Sequence, residues 1–326
     1  MKIGVVGCGA LGSYYGGLLC RAGHETHFLL RSDYDAVQKS GVFIESPNGN
    51  FHVKPHAHRQ AAEIGLCDLI LIGLKTTANH AFQELLPSMV GPTTSILTLQ
   101  NGLGNEEILA GLFPNSHILG GLCFVCLNRT EPGRIRHMDH GLIVMGEFEG
   151  VPRPLTLHLI KDFNEAGIPC RFTDNLAKAH WEKLMWNIPF NGLGVAGLLG
   201  HAGFDVDPEI LMSLPRSHCL DANALLADPT WEARVRGLMQ EVSMAANELG
   251  FPIAPDLQEK LIERTRTMGP YKASTLIDYE RGDPLEMDCL FLLPLNQAQK
   301  SGIKVPLLER LALVLGELQK RQDGSK

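Results

Sequence analysis

No apolar run in this 326-residue chain comes close to the roughly 20 residues that a membrane-spanning helix needs; LILIGL, at residues 69–74, is far too short. The opening MKIGVVGCG carries one basic residue and runs straight into a strand pattern, so it lacks the form of a secretory signal. An excess of positive charge is missing too. With 29 Lys and Arg against 36 Asp and Glu, the net charge of −7 disfavours nucleic acid and anionic membrane as partners, while leaving room for a local basic pocket. A disulfide framework is also absent, because the 8 cysteines are scattered. Their one close pair, Cys123 and Cys126 in GLCFVCLN, lies in strand-like sequence, where positions three apart face opposite sides and cannot share an ion. These thiols read as small buried hydrophobes, and no metal site is expected. Together these absences predict a soluble, cytoplasmic protein.

What the chain does have is enough length for two domains and a sizeable core. Residues 2–7, KIGVVG, form a strand-type run, and GCGALG follows at once, setting Gly7, Gly9 and Gly12 in G-x-G-x-x-G spacing. SYYGGLLCRAG then gives a helix pattern ending at Gly23, and ETHFLL gives a second strand. In this strand, turn, helix and strand context, the glycine motif predicts dinucleotide binding through Gly7, Cys8, Gly9, Ala10, Leu11 and Gly12. Gly7 permits the tight turn, Gly9 admits a pyrophosphate, and Gly12 lets helix and strand approach. The helix N-terminus offers free N–H groups and a positive dipole end to the phosphates.

The end of the second strand bears on which dinucleotide binds. An NAD site commonly has an acid there for the ribose 2′-hydroxyl, but this chain has Arg31 followed by Ser32. A guanidinium suits a 2′-phosphate, so NADP(H) is favoured over NAD; a solvated arginine is the plainer alternative. Further on, VFIESPNGNFHVKP suggests a hairpin about Asn48-Gly49. CDLILIGL ends at Lys75 and SILTLQ ends at Asn101, both at the carboxyl edge of a doubly wound sheet, where ligands bind. Lys75 suits a surface loop equally well, and Asn101-Gly102 also suits a plain turn. Strand-like HILGGLCFVCLN, GLIVMGEF and PCRFTD follow, with a helix before the last of them, and the sheet should end near Asp174.

Beyond that point the pattern changes to helices, at 176–199, 229–249, 255–266, 271–281, 285–301 and 306–320. The expected fold is an α/β, Rossmann-type doubly wound sheet over residues 1–174, followed by an all-helical domain over residues 175–326. In KLMWNIPFN and its flanks, Lys183, Asn187 and Asn191 recur every four residues, which lines them along one strip of a helix. Polar groups on an otherwise apolar helix need a use. Hydride delivered to a carbonyl leaves an alkoxide that needs a proton, and a protonated lysine can provide one while asparagines orient the substrate.

GCGALG, Arg31, LQNGLGN, the Lys-Asn-Asn strip and KASTLIDYERGDPLEMD, in this order, resemble the ketopantoate reductase (2-dehydropantoate 2-reductase) family. The resemblance implies a Rossmann domain joined to a helical domain and NADPH-dependent reduction of 2-dehydropantoate to (R)-pantoate. It implies that Lys183 is the proton donor, that Asn187, Asn191 and Ser274 bind substrate, and that Asn101 and Glu286 lie near the nicotinamide and the reacting groups. The chain departs from the family pattern at His201, where an asparagine is frequent, and at Tyr271 and Lys272, where smaller polar residues are common. A reductase of another branched 2-keto acid and a non-catalytic NADP sensor are the competing readings. A 2-keto acid is the expected small-molecule partner, and a homodimer is the assembly that helical second domains of this kind often form.

Overall fold

The computed structural model describes residues 1–211, 214 and 217–324. Its backbone divides into two compact units, Met1–Leu176 and Ala177–Lys326.

The first unit is built on one 10-stranded sheet. β1 (Lys2–Val6), α1 (Ala10–Arg21) and β2 (Glu25–Leu29) come first, followed by α2 (Tyr34–Ser40). The hairpin about Asn48-Gly49 is present as antiparallel β3 (Val42–Glu45) and β4 (Phe51–Val53). β5 (His56–His58), β6 (Leu69–Ile72), the short α3 (Phe82–Leu85), β7 (Ser95–Thr98) and α4 (Asn105–Leu112) continue the unit. A long antiparallel hairpin, β8 (His117–Glu131) and β9 (Arg134–Glu147), turns at Pro132-Gly133. α5 (Pro154–Glu165) and β10 (Cys170–Phe172) complete the unit.

Strands β5-β2-β1-β6-β7-β8 lie side by side and parallel, and the order reverses direction at β1. This is the doubly wound plan, with its switch point between the ends of β1 and β6. The central strands are apolar throughout because both faces are covered. Along β6, Leu69 and Leu71 enter one core with Ile3, Val5, Tyr15 and Phe28, while Ile70 and Ile72 enter the other with Val6, Phe82 and Met89. Alternation of side chains along a strand divides the run between the two faces.

The second unit is helical: α6 (Leu176–Ala196), which starts at the boundary, then α7 (Gly200–Asp205), α8 (Pro208–Leu211), α9 (Ala222–Ala227), α10 (Pro229–Glu248), α11 (Leu257–Arg266), α12 (Ser274–Arg281), α13 (Leu293–Lys300) and α14 (Pro306–Asp323). No helix of the described residues is long and apolar enough to cross a membrane. α10 is capped conventionally, with the Asp228 carboxylate accepting from the N–H groups of Thr230 and Trp231. α14 follows Val305, which has no side chain able to cap it. Glu241 of α10 does so instead, accepting from the N–H groups of Leu307 and Leu308 at 2.9 Å each. Capping by a neighbouring helix satisfies the free N–H groups of a helix start and also fixes how the two helices pack. The same device recurs at α12.

Candidate active site

The glycine loop joins β1 to α1. Gly7 has φ +94, and a Cβ there would lie 2.2 Å from the Leu74 nitrogen, so only glycine fits both the turn and the approach of the chain after β6. A Cβ on Gly12 would lie 2.3 Å from the Gly7 carbonyl oxygen, so its absence lets α1 close on the loop. Gly9, the residue before α1, has open space on its Cβ side. The loop is thus crowded at two glycines and open at the third. The Ser13 hydroxyl donates to the Cys8 carbonyl at 2.9 Å and steadies the turn. Cys8 is buried and donates weakly to the Val5 carbonyl; burial, reinforced by Asp33, holds its thiol well above the usual range, so it stays protonated. The start of α1 has no acidic residue in its first turn and no side-chain cap, which leaves the first N–H groups, at Ala10 and Leu11, for an anion. These features fit a pyrophosphate.

Arg31 is exposed just past β2. An acid does occur nearby, at Asp33, two residues past Arg31. Asp33 is 5% exposed, and its carboxylate accepts from Arg129 (2.5 Å), the Ser32 hydroxyl (2.9 Å) and the Gly133 N–H (3.2 Å). Asp33 is therefore committed to the β8–β9 turn. Lys75, also exposed, opens the turn of 3-10 helix Thr76–Ala81 that follows β6. Asn101 is half-buried beyond β7, and its backbone carbonyl accepts from the Asn105 side chain at 3.1 Å.

In the second unit, α6 is enclosed on most sides: Leu184, Met185, Ile188, Phe190, Leu193 and Val195 are each no more than 1% exposed. Pro189 removes one N–H from the helix. Along the polar strip Lys183 is half-buried, while Asn187 and Asn191 are 6% and 2% exposed. The two asparagines are used differently. Asn191 Oδ1 accepts from the Ser274 hydroxyl at 3.2 Å and from the Thr275 N–H at 2.9 Å. It supplies the cap that Ala273, the residue before α12, cannot. No hydrogen bond of the Asn187 side chain to another described residue is seen; the residue is 6% exposed, and its amide is not among the side-chain atoms sealed off without a partner. Its hydrogen-bonding groups are therefore open to a ligand or to water.

α12 starts at Ser274, later than the predicted 271, because the backbone stays extended through Ala273. Ser274 is the first residue of that helix, with Asn191 beside it. Glu286 is not the solvated helix carboxylate that a plain reading of its segment suggests: it is 3% exposed and stands just before a π-helical turn, Asp288–Leu292, that leads into α13. Such turns hold one extra residue and are frequent at functional sites.

Residues 3–150 match the family described as "Ketopantoate reductase PanE/ApbA", and residues 218–319 match "Ketopantoate reductase PanE/ApbA C terminal". The chain belongs to the ketopantoate reductase family. A 2-dehydropantoate 2-reductase of Nostoc sp. is 36% identical over 319 residues, covering 95% of this chain and 92% of that protein. The crystal structure of 2-dehydropantoate 2-reductase from Geobacter metallireducens has a TM-score of 0.87 at 43% identity, covering 97% of this chain and 99% of that one. The corresponding structure from Methylococcus capsulatus has a TM-score of 0.86 at 32% identity, covering 99% and 98%. The chain is thus a dinucleotide-binding oxidoreductase of the ketopantoate reductase type.

The departures from the family pattern have defined surroundings. His201, at the start of α7, pairs with Asp228 at 3.0 Å and lies beside Trp231, so it serves the cap of α10. Lys272 is on the surface and pairs with Glu280 at 2.7 Å. Tyr271 packs on Trp186, with ring centroids 6.0 Å apart, and Trp186 stacks in turn on Phe190 at 4.9 Å. Trp186 directly precedes Asn187 and Phe190 directly precedes Asn191 on α6, so these two rings and Tyr271 form an aromatic row next to the strip.

Proposed function

We propose that this chain reduces 2-dehydropantoate to (R)-pantoate with NADPH, a step toward pantothenate and coenzyme A. The observation that carries the reading is the Asn187 amide, uncommitted to any other described residue and one turn from Lys183, in a chain whose glycine loop fits a pyrophosphate. NADPH is preferred over NADH because Arg31 is exposed at the end of β2 while Asp33 is occupied by Arg129 and Gly133. Gly7, Cys8, Gly9, Ala10, Leu11 and Gly12 hold the pyrophosphate, Arg31 takes the ribose 2′-phosphate, and Lys75 lines the cofactor's edge of the sheet. When bound, the reduced nicotinamide supplies the hydride.

The protein's own groups do the rest. Lys183 in its ammonium form donates the proton that the nascent alkoxide requires, and its charge stabilises that oxygen as it forms. Asn187 bonds the substrate's oxygens, and Asn101 orients the ketone. Asn191 is restricted to donation, since its Oδ1 is already taken twice by α12. Ser274 has one O–H, given to Asn191; to hold a substrate carboxylate it turns that proton away from Asn191. Glu286, a buried carboxylate, is assigned to the reacting end of the site beside the nicotinamide.

The aromatic row of Trp186, Phe190 and Tyr271 favours one second reading, in which the preferred 2-keto acid carries a different branched side chain. Turnover of 2-dehydropantoate against a panel of branched 2-keto acids separates the two. Lys183→Ala tests the chemistry: kcat should fall by at least about 100-fold with NADPH affinity kept. Unchanged turnover would defeat the assignment of Lys183; activity with neither substrate class would favour a cofactor sensor.

A further inference from the structure

The ends of β6 and β7 are tied by side-chain amides that run head to tail. The Thr98 hydroxyl donates to Gln100 Oε1 (2.9 Å), Gln100 Nε2 to Asn79 Oδ1 (2.8 Å), Asn79 Nδ2 to Asn105 Oδ1 (2.9 Å), and Asn105 Nδ2 to the Asn101 carbonyl (3.1 Å). The last acceptor dictates the sense of the whole chain. A backbone carbonyl can only accept, so Asn105 must turn its NH2 toward Asn101 and its oxygen toward Asn79. The same choice then passes to Asn79, Gln100 and Thr98. Thr98, Gln100 and Asn105 are 1%, 4% and 0% exposed and Asn79 is half-buried, so water has little access to most of the chain, and each amide polarises the next.

This chain starts at the end of β7, crosses to the 3-10 turn that follows Lys75, and returns to Asn101. It thereby couples the two loops whose residues are assigned above to cofactor and ketone. We propose that Asn79, Gln100 and Asn105 are positioning residues: they lock the Asn101 backbone at one offset from the Lys75 turn, so that the Asn101 side chain meets the ketone without searching. This rests on the assignment of Asn101 in the proposed function.

Asn79→Asp breaks the chain with little change in shape. A carboxylate still accepts from Gln100 but cannot donate to Asn105, so two oxygens oppose each other at the middle link. Misplacement of a reacting group by about 1 Å can cost up to about 100-fold, so kcat should fall roughly 10- to 100-fold. The KM for the keto acid should change by less than about 3-fold, because the loss falls on orientation rather than on uniform binding. In an Asn101→Ala background the same substitution should add less than about 2-fold, since its target is gone. Thr98→Val removes the first link, together with the 3.3 Å bond that the same hydroxyl accepts from the Gln100 N–H, and leaves the amide links in place; it serves as the milder variant if Asn79→Asp does not fold, and its kcat should fall by about 2- to 5-fold. Thermal midpoints measured alongside separate positioning from support, because a purely structural role lowers the midpoint and leaves kcat per folded molecule unchanged. Asn101→Ala slow but Asn79→Asp or Thr98→Val at the wild-type rate would overturn the positioning role alone. Asn101→Ala at the wild-type rate would overturn the assignment of Asn101, and the positioning role with it.

Discussion

Asn191 lets two jobs be separated: holding helix α12, seen in its hydrogen bonds, and holding a substrate, as proposed above. Asn191→Ala removes the acceptor of two hydrogen bonds, one from the Thr275 N–H and one from the Ser274 hydroxyl. Thr275 is 1% exposed, so no water replaces the lost partner. Leaving a buried N–H unsatisfied costs about 1–3 kcal/mol and losing the hydroxyl bond about 1 kcal/mol, for a total of roughly 2–4 kcal/mol. At about 2–4 °C per kcal/mol for a domain of this size, the thermal midpoint of the helical unit should drop by roughly 4–16 °C. Asn191→Asp keeps an oxygen for both donors and places negative charge at the start of α12, where the dipole favours it by about 0.3–1 kcal/mol. Burial of the charge offsets part of this, so its midpoint should lie between wild type and Asn191→Ala. Activity should follow another order. The added charge repels an anionic keto acid, so Asn191→Asp should raise KM at least as much as Asn191→Ala does. Circular dichroism melts and initial rates over a keto acid titration give both readings. An Asn191→Ala midpoint within about 1 °C of wild type would refute the cap, since no smaller shift is compatible with a bare buried N–H.

The remaining predictions concern the first unit. Gly9→Ala meets open space, so it should leave the melt unchanged while weakening NADPH binding about 10-fold or more in a fluorescence titration; Gly12→Ala drives a Cβ into the Gly7 carbonyl and should destabilise the unit by about 1–3 kcal/mol. Arg31→Ala should weaken NADPH far more than NADH, and equal losses would remove the 2′-phosphate from its assigned partner. His27 and His58 hydrogen-bond each other at 2.9 Å, and burial lowers both below the ordinary histidine range. Glu25 and Glu63 oppose that shift, while His56 reinforces it for both histidines and Lys2 for His27. The folded state therefore prefers both rings neutral, so the stability they contribute is present above about pH 6.5, the unfolded value, and is lost as pH falls from there through the lowered folded values. His58→Gln should flatten the fall of the melting temperature between about pH 6.5 and 5.5, and an unaltered slope would count against this pair.

The β1–α1–β2 unit is legible because its signals are contiguous: apolar run, spaced glycines, helix stop. The edge strand His56–His58 is not, because HAH offers no apolar alternation and is fixed only by pairing with β2. Helix α12 begins later than its periodicity suggests because its cap comes from Asn191, 83 residues earlier in the chain, and no local pattern encodes that. The short helices α7, α8 and α9 carry no legible signal, since a few residues give too little period to read. At the site, the Lys-Asn-Asn strip was visible from spacing alone. That Asn191 is committed to the start of α12 depends on contacts between distant segments, which spacing does not encode. Asp33 illustrates the same limit: its type and place suggest a ribose ligand, and only its bond to Arg129 on β8 removes it from that role.

The π turn at Asp288–Leu292 has a consequence for how this enzyme can change over time. Each residue added to a helix advances its phase by about 100°, so one surplus residue uncouples the bearing of whatever precedes the turn from the face that α13 packs inward. Pro294 and Ala298 stay anchored while Glu286 keeps a heading of its own. Excision of a single residue there would let the segment relax into ordinary α-helix, nearly unchanged in length, yet swing the acid by about a quarter of a revolution. Point substitutions in this stretch are met by local repacking, whereas a one-codon deletion would act on the carboxylate as a switch.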